Sequence, residues 1–338
     1  MRLASTAAAG ALATPERRPV RAGPGIRAAE DQGLEARALP TAVVSLLAAA
    51  AARLTPAQAA SAGARLGHLR HGLCPAEARA VQENLRWLGL ANSGASAPGE
   101  DAAERLSREV FRSFGLFALE FLRSLAMDAG DVARGWELDG WEHLETLAAQ
   151  PAGFILVTAH TGNWEHLCAL APLLGRRALV PTGIQMHRWL SPALKSRKQR
   201  WGIASVSPHG DLRSLLPAIA AGGLIGLPLD GGSFRRGLPV PLLGRRVRLP
   251  AGPARLALAS GRPIVPVFAR RTGFMRQRVR IAPPLWPPSE RECEPGTAAR
   301  ALTAQLAALL GEHLRATADQ WCIFRPLHEP ARAGRPGR

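Results

Sequence analysis

Four short apolar runs most constrain what this chain can fold into. Phe154-Ile155-Leu156-Val157-Thr158-Ala159, Arg177 to Pro181, Leu224 to Leu229 and Pro263 to Phe268 are of strand length. They lack the polar alternation of a half-solvated strand, as expected of strands buried on both faces. Helical stretches lie between them, as at Asp211 to Ala221 and Pro253 to Ser260. Strands alternating with helices predict an α/β fold, with a mixed, mostly parallel central sheet covered by helices on both faces. Arg276 to Ile281 alternates charged and apolar residues and reads as an edge strand. Residues 297 to 318 read as a final amphipathic helix, with Leu302, Leu306, Leu309 and Leu310 on one side.

Upstream of Trp136 the rhythm is helical. Thr55-Pro56 is a cap followed by a first-turn proline. Val110, Phe111, Phe114, Phe117, Ala118 and Phe121 recur at three- and four-residue spacing, with Arg112 and Glu120 off that face. The organisation expected is therefore a disordered tail at 1–36, an N-terminal helical region at 37–135, an α/β domain at 136–330 and a second tail at 331–338. The first tail is rich in Ala, Arg, Gly and Pro without apolar periodicity. The uncharged stretch from Ala38 to Ala52 is shorter than the roughly 18–20 apolar residues of a spanning helix. It reads as a helix lying at a bilayer interface or packed on the domain.

Lys and Arg total 43 against 26 acidic residues, a net charge of +17. Such a surface attracts nucleic acid, anionic lipid head groups or an acidic carrier protein. With no tyrosine, 5% aromatic residues and no recognisable binding motif, the chain is poorly equipped for nucleic acid. Basic runs occur at Lys195, Arg197, Lys198 and Arg200 and at Arg235, Arg236, Arg245, Arg246 and Arg248. They read either as solvated faces or as contacts for phosphates. Cys74, Cys168, Cys293 and Cys322 show no CxxC spacing, which argues against a zinc site or a disulfide framework.

His160 directly follows the first buried run, Gly162 and Asn163 turn the chain, and Trp164-Glu165-His166-Leu167 opens a helical segment. The carboxyl end of a strand feeding a helix is where α/β proteins commonly place ligands. Glu165, in the first helical turn, is free to fold back on the His160 imidazole, fixing its tautomer and making the other nitrogen a better base. Backbone N–H groups near Gly162 and Asn163 are candidates for stabilising an oxyanion. Spacing alone also allows a structural histidine and a glutamate placed for the helix dipole. His160 and His166 lack the spacing of a helical metal pair, so no metal is expected.

The run from Gly153 to Glu165 resembles the signature of the bacterial lysophospholipid acyltransferase-like superfamily, in the branch of late lipid A acyltransferases and phosphatidylinositol mannoside acyltransferases. The resemblance spans about Leu39 to Pro330. It includes Asn84-Leu85-Arg86, Gly140-Trp141-Glu142-His143-Leu144, Leu227-Pro228-Leu229-Asp230, Val240-Pro241-Leu242-Leu243-Gly244, Leu249 to Ala257 and Asp319 to Leu327. It implies transfer of a fatty acyl group from acyl carrier protein or coenzyme A, as co-substrate, to a lipid or glycolipid hydroxyl, with no cofactor. His160 would be the base and Glu165 its orienting partner. Gly162, Asn163, Arg188, Asp230 and Arg255 would meet substrate, Asp230 by arranging the acceptor or the active-site loop. The implied setting is an anionic membrane at the cytoplasmic face of the inner membrane, with the chain a monomer or weak oligomer. The family often carries an arginine on the strand after the catalytic helix; here Val180-Pro181-Thr182-Gly183 stands there, with Arg188 nearest. Asp230 is followed by Gly231-Gly232, where relatives commonly carry a polar residue, so the acceptor is left open. A hydrolase using the same dyad on a thioester or lipid ester is the alternative, though no nucleophile-elbow Gly-x-Ser-x-Gly is present.

Overall fold

The computed structural model describes residues 41–91, 101–181, 191–207, 211–230, 237–288 and 294–327. Both expected tails and Arg188 lie outside the described residues. Four helices come first: α1 (Thr41–Arg53), α2 (Pro56–Leu73), α3 (Pro75–Trp87) and α4 (Ala102–Ser124). Thr55 caps α2 by a reciprocal exchange. Its hydroxyl accepts the Gln58 N–H while the Gln58 side chain accepts the Thr55 N–H, with Pro56 in the first turn.

The remainder alternates. In order come α5 (Ala129–Ala133), β1 (Trp136–Asp139), α6 (Trp141–Ala148) and β2 (Ile155–Thr158). A 3₁₀ turn at His166–Ala169 leads into α7 (Leu170–Leu173), then β3 (Ala178–Pro181), α8 (Ser191–Arg200) and β4 (Ile203–Val206). After α9 (Leu216–Ala220) come β5 (Leu224–Pro228), β6 (Leu238–Leu242) and β7 (Arg245–Leu249). The chain ends with α10 (Gly252–Ser260), β8 (Ile264–Gly273), β9 (Arg276–Ile281) and α11 (Pro295–Thr317). Among the described residues, seven strands form one sheet in the order β1-β9-β8-β2-β5-β3-β4, and only the β8–β9 pair is antiparallel. β6 and β7 form a separate antiparallel hairpin.

Each face of the sheet has its own core. On β8, Ile264 and Phe268 pack on one side with Leu306 and Leu310 of α11. Val265 and Val267 pack on the other with Leu144 of α6 and Leu170 of α7. The runs Phe154 to Val157, Leu224 to Leu229 and Ile264 to Ala269 are therefore apolar throughout because both faces are covered. One expectation is corrected: Arg276 to Ile281 is an interior strand. β1, too short and too polar to stand out in the sequence, pairs along its outer side, and Glu137 of β1 bonds Arg278 at 3.1 Å.

The N-terminal helices pack closely. Gly63 and Gly67 of α2 face Gly115 of α4, and a Cβ on Gly115 would stand 2.1 Å from the Gly63 carbonyl oxygen. A Cβ on Gly67 would stand 2.3 Å from that of Phe111. α1 docks by Val44, which is buried with Phe121 and Leu194. Its other side leaves Val43, Leu46 and Leu47 exposed, and α2 likewise exposes Leu66, Leu69 and Leu73. Among the described residues, no helix is long and apolar enough to cross a membrane.

The glycine contact makes two opposite predictions within one helix. Gly67→Ala forces backbone apart and lowers stability by about 1–3 kcal/mol. Gly72→Ala, with nothing within 4 Å of the new methyl, is neutral or stabilising by up to ~1 kcal/mol. Thermal unfolding of the two variants beside the parent checks both signs.

Candidate active site

Parallel pairing of β2 with β5 carries two distant residues to one point. The register runs from Ile155 against Ile225 to Thr158 against Pro228. Just beyond, Leu229 N–H donates to the Thr158 carbonyl at 2.7 Å. His160 and Asp230 stand at the same offset past the strand ends, where Asp230 Oδ1 meets His160 Nδ1 at 2.7 Å. Asp230 Oδ2 accepts the His160 backbone N–H at 2.9 Å and the Trp321 indole N–H at 2.7 Å. The carboxylate is 1% exposed, whereas the imidazole side chain keeps 23% exposure. Among the described residues nothing bonds its other nitrogen, Nε2.

The electrostatics follow from this geometry. Burial by itself disfavours a charged imidazole. The Asp230 charge and hydrogen bond, reinforced by the charge of Glu165, outweigh it and raise the His160 pKa above its ordinary value. Burial likewise opposes ionisation of Asp230, but His160 and the three donated hydrogen bonds hold its carboxyl below the usual value. The pair is thus an ion-stabilised base with a fixed tautomer, open on one side.

The structure reassigns the orienting partner expected of Glu165. Nδ1 belongs to Asp230, and Glu165 Oε2 instead meets Arg197 Nη2 at 3.2 Å and Lys198 Nζ at 3.4 Å. The physical reason is burial: these two residues of α8, read from sequence as part of a solvated or phosphate-facing run, are 0% and 1% exposed. Buried cations demand a carboxylate, and Glu165 supplies it. Arg197 also donates to Ser124 Oγ at 2.8 Å and lies over the rings of Phe121 and Trp201. Glu165 precedes a 3₁₀ turn, not the first turn of an α-helix.

The loop after His160 is closely held. The Thr161 hydroxyl donates to the Ala269 carbonyl at 2.9 Å and shares a 2.8 Å hydrogen bond with His313. Gly162 adopts φ +57, and a Cβ there would stand 2.8 Å from the Ala269 oxygen, so glycine is required. The Asn163 side chain, expected to meet substrate, is turned inward at 2% exposure and donates to Glu120 Oε2 at 2.9 Å. Its backbone N–H donates to Gln277 Oε1 at 3.2 Å and is not available to an oxyanion. The Gly162 N–H has no hydrogen-bond partner among the described residues. Trp164 stacks on Phe117 of α4 with centroids 4.1 Å apart and makes an edge-type contact with the His160 ring at 5.1 Å between centroids.

Arg255 is exposed on α10, and among the described residues no hydrogen bond or ion pair joins it to His160. Trp321, Glu120, Arg271 and Gln277 were not legible as site residues. The segment holding Trp321 nevertheless lies in the block Asp319 to Leu327, and that block reaches the site once more and is itself tied to α3. Cys322 N–H donates to the His160 carbonyl at 2.9 Å, and Asn84 fastens Arg325 O and Leu327 N–H. Among the described residues, no cluster of three or more His, Cys, Asp or Glu side chains is arranged to hold a metal ion.

Comparison with known proteins gives a family match over residues 39–329, to the model described as bacterial lipid A biosynthesis acyltransferase. A phosphatidylinositol mannoside acyltransferase of Mycobacterium tuberculosis (strain CDC 1551 / Oshkosh) is 25% identical over 228 residues, 63% of this chain and 67% of that one. Its namesake from Mycolicibacterium smegmatis is 25% identical over 178 residues, 50% of this chain and 57% of its own. A solved structure, the 1-acyl-sn-glycerophosphate acyltransferase PlsC of Thermotoga maritima, is similar over 63% of this chain and 83% of that one, at 14% identity and a TM-score of 0.34.

The clamp on His160 is testable by titration. With its pKa raised by Asp230, the imidazole stays protonated to higher pH than a free histidine. Asp230→Asn removes the charge and leaves burial dominant, so the titration moves to lower pH. NMR of labelled histidine, assigned with His160→Gln, reads the shift; an unchanged midpoint contradicts the clamp.

Proposed function

Because the chain belongs to the bacterial lipid A biosynthesis acyltransferase family, we propose that it moves a fatty acyl chain from acyl carrier protein or coenzyme A to a hydroxyl of a membrane glycolipid or phospholipid. The observation carrying this reading is the half-open imidazole fixed at Nδ1 by a buried, triply bonded carboxylate. His160 Nε2 removes the proton as the acceptor hydroxyl attacks the thioester carbonyl. The tetrahedral intermediate collapses to the new ester, and the departing thiolate takes the proton from the imidazolium. Asp230 fixes the ring and stabilises its charged form, with Glu165 adding support through space. The Gly162 N–H is a candidate donor to the oxyanion. The names of the family and of the mycobacterial relatives favour a glycosylated lipid acceptor.

Membrane docking fits the same reading. The exposed leucines of α1 and α2 suit an interfacial position, and a net charge of +17 suits anionic head groups. Arg255 and the exposed Arg245, Arg246 and Arg248 of β7 are candidates to meet phosphates of the lipid or donor.

Radiolabelled acyl carrier protein and acyl-CoA, supplied with a panel of membrane lipids, test the chemistry. The parent labels lipid, while His160→Ala and Asp230→Asn each lose about 10²–10⁴-fold in rate. Undiminished labelling by His160→Ala contradicts the mechanism, and release of free fatty acid alone favours a hydrolase. For docking, the parent is retained by anionic vesicles at low salt, and the paired change Leu46→Glu and Leu69→Glu weakens retention. Equal retention of the two proteins would count against these helices as the docking surface.

A further inference from the structure

Glu120 lies near the C-terminal end of α4, on an amphipathic helix, and is only 1% exposed. Its two carboxylate oxygens accept four hydrogen bonds. Arg271 of β8 donates to both, from Nε and Nη2 at 3.0 Å each. Asn163 Nδ2 donates at 2.9 Å and the Met275 N–H at 3.0 Å. Arg271 is itself buried. It donates further to Ser113 Oγ at 2.6 Å and to the Gly162 carbonyl at 3.1 Å.

The partners lead to both members of the His160–Asp230 pair. Toward His160, Glu120 and Arg271 grip the two loop residues that follow Thr161: the carbonyl of Gly162 and the side chain of Asn163. Toward Asp230, the Arg271 backbone exchanges hydrogen bonds with the Gln320 side chain at 2.8 and 3.1 Å, next to Trp321, which holds Asp230. Ser113, Phe117 and Glu120 share one face of α4, so the helix that stacks on Trp164 also carries the ion pair. Stability does not account for such a pair, because well-packed apolar side chains often replace a buried ion pair without loss. Its geometry, with two planar groups bonded simultaneously to the loop and to each other, specifies position.

We infer that Glu120 and Arg271 are positioning residues for the transfer reaction: the ion pair sets where the 160–164 loop stands against Asp230 and Trp321. The inference rests on His160 being the base. It assigns to the N-terminal helical region a part in building the site, because α4 supplies one of the two charges. A lysine at position 271 keeps the charge but cannot bond Ser113, both Glu120 oxygens and the Gly162 carbonyl at once.

The test compares three full-length variants with the parent: Arg271→Lys, the double change Glu120→Leu with Arg271→Met, and Asn163→Ala. The double change removes both charges together and leaves neither stranded. Positioning predicts that kcat falls about 10- to 100-fold, with KM for donor and acceptor unchanged within about twofold. It also predicts that the His160 midpoint, read by NMR, moves to lower pH as the contact with Asp230 loosens. Full kcat and an unchanged midpoint in a folded double variant would overturn the inference, as would a kcat loss that only follows the fraction unfolded. Where the double variant does not fold, Asn163→Ala, which cuts the side-chain link from the loop to Glu120 together with the Asn163 contacts to His166, decides on the same readouts. If the parent itself transfers no acyl group, the proposed reaction fails, while the midpoint shift still reports whether the pair positions His160.

Discussion

Between β2 and β5 the chain keeps a constant offset of 70 residues, from Ile155 against Ile225 through His160 against Asp230. Parallel strands in fixed register can do this where a local turn cannot, because every ladder hydrogen bond opposes slippage. The carboxylate that meets Nδ1 also accepts the N–H of the same histidine, so side chain and backbone of residue 160 are fixed together. The loop clamp, the indole of Trp321 and the aromatic stack on α4 all build on that point. Had the pairing slipped by one residue, the imidazole would face the other side of the sheet.

Much of the fold was legible because the buried strands lack alternation, which strands covered on both faces show and half-solvated strands do not. β1 and β4 were not, being four residues each and only partly apolar. His160 was legible for the same reason as its strand, since it ends an apolar run. Glu165, the nearest carboxylate in sequence, was its natural partner on local grounds. The partner is instead Asp230, which only the crossover connections and the sheet order bring near. Asp230 was visible as part of a block, but no local signal tied it to Nδ1.

Charges hid the rest. Amphipathic periodicity sorts residues by polarity and cannot distinguish a solvated charge from one buried against a partner. Glu120 fell off the apolar face of α4 by that criterion, yet it is interior because Arg271 arrives from β8. Arg197 and Lys198 belong to a basic run whose usual place is solvent, yet they face inward to Glu165. In a chain with 26 acids against 43 bases, three carboxylates near the 160–166 loop each take a different cation: Asp230 with His160, Glu120 with Arg271, and Glu165 with Arg197 and Lys198. Each of these three carboxylates is thus paired with at least one base.

The segment from Trp321 to Leu327 touches His160 through Cys322, Asp230 through Trp321 and α3 through Asn84. It is also made after every strand and helix it fastens. A chain emerging from the ribosome therefore carries the imidazole and its carboxylate before it carries the clasp that seats them. Synthesis itself acts as a timer: the site is completed only when this late segment has been translated and has docked.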